Sequence, residues 1–212
     1  MLARLHPAHR AVFRRSPGER PPGPTGYNGA VIAHPTLVVV SGPAGSGKTT
    51  LAHTLARTVG CPAICRDEIK EGMVHATGEF TAGPGDDLTL RTLPTFFGVL
   101  ELLLRAGVTT VAEAAFQDRV WRPRLEPLRA LADLRIVHCL VDADTAWSRI
   151  RRRREEDPLR RAHPDREWMA DHATRHAGFD RVAVDAPSME VDTTGGYRPT
   201  LPEIVSFVNA PA

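Results

Sequence analysis

The sequence predicts an α/β domain: a parallel sheet of five strands with helices on both faces. Three observations lead there. Short apolar runs rich in β-branched residues recur along the chain, each followed by a stretch of helical character. One of these runs, residues 36–40, leads directly into a glycine-rich turn and a helix start. The 212 residues suffice for one such domain with a substantial core.

The first strand, residues 36–40, is bounded by Pro35 and Gly42 and reads as buried on both faces. Gly42-Pro43-Ala44-Gly45-Ser46-Gly47-Lys48-Thr49-Thr50 follows. It satisfies G-x-x-x-x-G-K-[ST], the phosphate-binding loop, and stands between a strand and a helix as that motif requires. Residues 49–59 predict an amphipathic helix stopped by Gly60 and Pro62. A short strand at 63–65 and a helix at 67–75 come next. Residues 76–87 are glycine-rich and lack periodicity, so a loop is expected. Residues 88–106 predict a long apolar helix, kinked near Pro94 and ended by Gly107. The third strand falls at 108–112, and a helix at 119–133 despite Pro123 and Pro127. A strand at 134–141 leads to a helix at 144–156, a charged loop at 157–164 and a helix at 166–177. A fifth strand at 188–192 and a closing helix at 201–209 complete the pattern.

Residues 1–34 are set apart. They are rich in Pro, Arg and Gly, bury too little to offset their ordering entropy and have no apolar segment of a secretory signal. They are expected to be a disordered extension, leaving residues 35–212 as the folded domain. The net charge of +2 demands neither nucleic acid nor membrane, and no apolar run reaches the ~18 residues of a membrane span. Three cysteines without C-x-x-C spacing suit a reducing cytoplasm.

The ends of parallel strands carry ligands in such sheets. The phosphate loop, Arg66-Asp67-Glu68, Glu113, Asp142 and Asp144 should therefore face one another. In the loop, glycines let backbone N–H groups turn toward a polyphosphate, Lys48 can reach the β- and γ-phosphates, and Thr49 can sit on Mg2+. Asp67 is placed to accept a hydroxyl proton, although Asp also opens helices well. Lys70, one turn on, can hold an anionic part of an acceptor. Glu113 can serve Mg2+ or the acceptor. Arg149, Arg152 and Arg153 share one helix face, and Arg149 and Arg153 are the two expected to close on phosphate as a lid. Arg119, with Arg122 and Arg124, can line the acceptor site. His172 and His176, spaced i, i+4, are expected to be surface residues.

The loop at 42–50, the Arg66-Asp67-Glu68-Ile69-Lys70 element, residues 111–116, the Arg149–Arg154 run and Val191-Asp192-Thr193-Thr194 together resemble the small P-loop kinases of the AAA-type and zeta-toxin-like group. That group includes chloramphenicol phosphotransferase-like enzymes and the kinase domain of polynucleotide kinases. The resemblance spans residues 36–209. It implies a three-layer P-loop NTPase fold with strand order 2-3-1-4-5, ATP and Mg2+ as donor and metal, Asp67 as general base, Lys70 on a substrate phosphate and the 192–196 turn near adenine. The expected acceptor is a hydroxyl of a small molecule; a 5′-hydroxyl polynucleotide and an NTPase with no acceptor are the alternatives. Glu113 departs from the Asp common at its position.

Overall fold

Leu37, Val38, Val39 and Val40 are all fully buried. The strand they form, β1 (Thr36–Ser41), has a parallel neighbour on each side and a helical layer on each face. The computed structural model describes residues 34–77, 79–83, 85–156, 162–163 and 172–211. The expected extension apart from His34, most of the expected loop at 157–164 and the start of the expected helix at 166–177 lie outside them.

The sheet order is β2-β3-β1-β4-β5, all parallel, as the resemblance implies. β1 pairs with β3 (Thr110–Glu113) on one side and β4 (Asp133–Leu140) on the other; β2 (Ala63–Cys65) pairs with β3 and β5 (Ser188–Asp192) with β4, as the two edges. Side chains alternate between the two faces. Leu37 and Val39 join one cluster with Phe96, Leu100, Trp121 and Ile136. Val38 and Val40 join the other, with Leu51, Leu55, Val137 and Ile204. Each such side chain contributes about 1.5–3 kcal/mol of burial. Both faces are thereby closed, and the carboxyl edge is left for ligands.

Helices α1 (Lys48–Val59), α2 (Arg66–Thr77), α3 (Asp87–Arg105), α4 (Asp118–Leu125), α5 (Ala143–Glu156), α6 (His172–Ala177) and α7 (Leu201–Val208) complete the three layers. None of the described helices is long and apolar enough to cross a membrane.

Three boundaries differ from expectation. The single helix expected at 119–133 is divided: α4 ends at Leu125, and a 3-10 turn, Glu126–Ala130, follows with Pro127 near its start. Proline lacks the N–H that would continue the α-helical ladder. The loop expected at 76–87 loses both ends to helix. Its Asp86 caps α3, accepting the Thr89 N–H at 2.7 Å. The third strand begins two residues late, at Thr110, which puts Glu113 inside it, in register with Val40 and Cys65.

Candidate active site

The glycine-rich turn is pressed against its neighbours. Gly42 has φ +148°, and a Cβ there would lie 2.5 Å from the Cys139 carbonyl oxygen. Gly45 has φ +77°, and a Cβ would lie 2.5 Å from the Ala146 carbonyl oxygen on α5. Neither position admits a side chain, so the loop seats flush on β4 and α5. Gly47 caps α1 in a left-handed conformation with no side-chain cap bond. The Leu51 N–H bonds the Gly47 oxygen at 3.0 Å. The N–H groups of Lys48, Thr49 and Thr50 precede that ladder and face out of the helix end, at the positive end of its dipole. Lys48 Nζ arches back over the loop to the Pro43 oxygen at 2.8 Å. Free amides and an ammonium around a concave turn fit a polyphosphate.

Beside the loop, Thr49 Oγ1 donates to Glu113 Oε2 at 3.2 Å. These are two hard oxygen donors at the carboxyl edge, a donor set that fits Mg2+. Glu113 is only 4% exposed. Burial pushes its carboxyl up, and the carboxylates of Asp67 and Glu68 push the same way. The Lys48 ammonium and the Thr49 hydroxyl oppose them without reversing the shift.

Asp67 lies at the start of α2, directly after the edge strand β2. Its side chain is 50% exposed, and Oδ1 accepts from Arg66 Nη1 at 2.8 Å. Burial raises the Asp67 carboxyl, but His163, Arg66 and Lys48 outweigh it and hold it below the ordinary carboxylate range. Asp67, Lys48 and Glu113 are therefore close enough to act on one another's charge.

Arg149 braces the loop. Its Nη1 donates to the Gly45 oxygen at 3.3 Å and to Thr193 Oγ1 at 3.2 Å. Its Nη2 donates to the Thr193 oxygen at 2.7 Å and the Thr194 oxygen at 3.1 Å. The Thr193 hydroxyl in turn donates to the Ser46 oxygen at 2.8 Å. The turn after β5 is thus stitched to the phosphate loop. Arg153, one turn beyond Arg149, is exposed.

The two residues expected to meet an acceptor, Lys70 and Arg119, differ in burial. Lys70 is 1% exposed and paired with Asp86 Oδ2 at 2.8 Å, so its ammonium faces an internal carboxylate rather than an open site. Arg119 is exposed on α4, at the surface. Asp142 caps α5 by accepting the Thr145 N–H at 2.8 Å. His176 is half-buried against the Val141 oxygen at 2.9 Å rather than on the surface. The side chain of His172 lies outside the described residues.

Sequence reasoning missed Arg66 as the orienting partner of Asp67, and His163, whose Nε2 lies 3.0 Å from Glu71 Oε1. Adjacency of Arg66 and Asp67 was a usable signal. Nothing in the spacing of residues 71 and 163 points to their meeting.

Residues 37–178, more than half of the chain, match the model of the AAA domain family. This chain belongs to the AAA domain family. Solved structures of similar fold include three with kinase names. A candidate kinase from Chloroflexus aurantiacus aligns at 22% identity and TM-score 0.73, over 82% of this AAA domain chain and 97% of its own. A sugar kinase from Janibacter sp. aligns at 21% identity and TM-score 0.54, over 81% and 90%. An APS kinase from Mycobacterium tuberculosis, in complex with AMPPNP and APS, aligns at 16% identity and TM-score 0.54, over 83% and 98%. These likenesses establish the P-loop fold of the chain. No curated protein matches it.

Proposed function

We propose that this chain is an ATP-dependent kinase that transfers a γ-phosphoryl group to a hydroxyl of a small molecule. The observation that carries the reading is Asp67: half exposed, oriented by Arg66, and within electrostatic reach of Lys48 in the phosphate loop. One oxygen is held, which leaves Oδ2 for the acceptor hydroxyl. Phosphoryl transfer passes through a loose transition state in which the proton leaves late, so an ionised carboxylate serves as acceptor without a raised pKa. Lys48 and the loop amides hold the donor phosphates, and Arg149 keeps the loop in shape. Arg153, exposed on the same helix, is the residue proposed to meet charge on the transferred group. Mg2+, held by Thr49 and Glu113, would offset charge on the donor oxygens.

A small acceptor is favoured over a polynucleotide. Single-stranded nucleic acid needs exposed stacking aromatics, whereas Phe96, Phe97, Phe116 and Trp121 pack on one another inside the core. The named sugar and APS kinases of like fold support an acceptor of metabolite size. Its identity is open among antibiotics, nucleosides, sugars and other metabolites.

The test is ADP release from Mg·ATP against such a panel, with a 5′-hydroxyl oligonucleotide included. Stimulation by one small molecule, lost in Asp67→Asn with ATP binding retained, is the expected result. Stimulation only by the oligonucleotide, or equal ATP consumption with every acceptor, overturns it.

A further inference from the structure

We propose that His53, Cys65 and Glu68 form a second metal site, for a soft divalent transition ion of which Zn2+ is the best fit. The three come from separate elements: His53 from α1, Cys65 from the end of β2 and Glu68 from the first turn of α2. His53 Nε2 lies 2.6 Å from Glu68 Oε1 and 3.6 Å from Cys65 Sγ, and all three donor atoms lie within 4.8 Å of one another.

Both partners approach the same ring nitrogen. A catalytic relay would place the thiol on one imidazole nitrogen and the carboxylate on the other. One ring nitrogen therefore faces a thiol and a carboxylate together. A metal ion bonds to nitrogen, sulfur and oxygen at once. Tetrahedral zinc, with Zn–S of about 2.3 Å and Zn–N of about 2.0 Å, separates S and N by about 3.5 Å. Here they stand 3.6 Å apart. Glu68 Oε1 must withdraw from the nitrogen by about 0.7 Å to reach tetrahedral spacing, which its 46% exposed side chain allows.

The site is closed on the sulfur side and open on the other. Cys65 is 2% exposed, while the His53 side chain is 39% exposed, leaving a fourth position for water. On binding, the thiol proton leaves to solvent and the sulfur lone pair goes to the metal: one proton is released and nothing is oxidised or reduced. The donors also sort the ions. Thr49 and Glu113 offer only oxygen, for a hard cation; nitrogen and sulfur here select a softer one. An ion at this site ties the helix that carries Thr49 to the turn that carries Asp67, and adds stability by mass action. Its binding does not rest on the kinase reading.

Absorption-monitored titration of the full, nucleotide-free chain with Co2+ tests the site. One equivalent should give tetrahedral d–d bands and a sulfur-to-cobalt charge-transfer band, both displaced by one equivalent of Zn2+. Cys65→Ser should abolish the charge-transfer band, and His53→Gln, at a half-exposed position, should weaken binding about tenfold or more. Cys61→Ser should change nothing, and thermal melts check that each variant is folded. Co2+ bound without a sulfur band, a band that survives Cys65→Ser, or His53→Gln binding like wild type would overturn the proposal.

Discussion

Thr49 at the head of α1 and Glu113 at the end of β3 share a hydrogen bond of 3.2 Å, although 64 residues separate them. The bond sets two oxygen donors side by side, and it holds a carboxylate in a place where burial disfavours its charge. Because the folded pKa is raised, the native state holds more protons than the unfolded chain between the ordinary Glu value of about 4.3 and the folded one. Stability therefore falls as pH rises through that window. Glu113→Gln removes the penalty and keeps an acceptor for Thr49. It should melt higher than wild type at pH 8 without metal, the difference closing toward pH 4, while needing more Mg2+ for turnover. Thermal melts across pH and a Mg2+ titration check both halves.

Asp67 shifts the other way. Its carboxyl lies below the ordinary range because His163, Arg66 and Lys48 outweigh burial. The acid limb it contributes to kcat/KM should therefore fall below about pH 4. Arg66→Ala removes the guanidinium at 2.8 Å and should move that limb upward, with a smaller loss of turnover than the roughly 10^2–10^4-fold expected of Asp67→Asn. A pH–rate profile of the two variants separates orientation from proton transfer.

The sequence made the sheet legible because β1 is written in one run of buried residues and the glycine motif allows one context. The edge placement of Asp67 and Glu113 followed from strand ends alone. Helix position does not reveal that Asp86, beyond a glycine-rich stretch, turns back to pair with Lys70. Thr193 and Arg149 meet through β4 and β5, a contact that spacing along the chain does not encode. The division after α4 was written in Pro127, but the balance between a kink and a stop depends on what the following turn packs against.

Arg149→Ala should remove the brace between the phosphate loop and the turn after β5. Four acceptors lose a donor, so a stability loss of about 1–3 kcal/mol is expected, with weaker nucleotide binding. Arg149→Lys should rescue little, since a single ammonium cannot span the same set of oxygens. Arg153→Ala, at an exposed position, should leave the melting temperature unchanged and lower turnover alone. Calorimetry of nucleotide binding beside thermal melts distinguishes the two arginines.

Lys70 on α2 and Asp86, the cap of α3, form an ion pair in which the lysine side chain is buried. The ammonium lies 5.5 Å from the centre of the Phe80 ring and 2.8 Å from Asp86 Oδ2. Burial alone would raise the Asp86 carboxyl. Lys70 and the N–H groups of Thr89 and Gly83 reverse this and hold it at about 2. A depressed folded value means that the pair's contribution is present above the unfolded value of about 3.9 and is lost as pH falls toward about 2. Lys70→Met leaves Asp86 without its cation and should cost about 3–5 kcal/mol at neutral pH, with the acid-unfolding midpoint moved upward. Lys70→Met combined with Asp86→Asn should recover part of that loss, because no unpaired charge remains and Asn still caps α3. If the single and double variants melt alike, the ion pair is not what holds α2 to the start of α3.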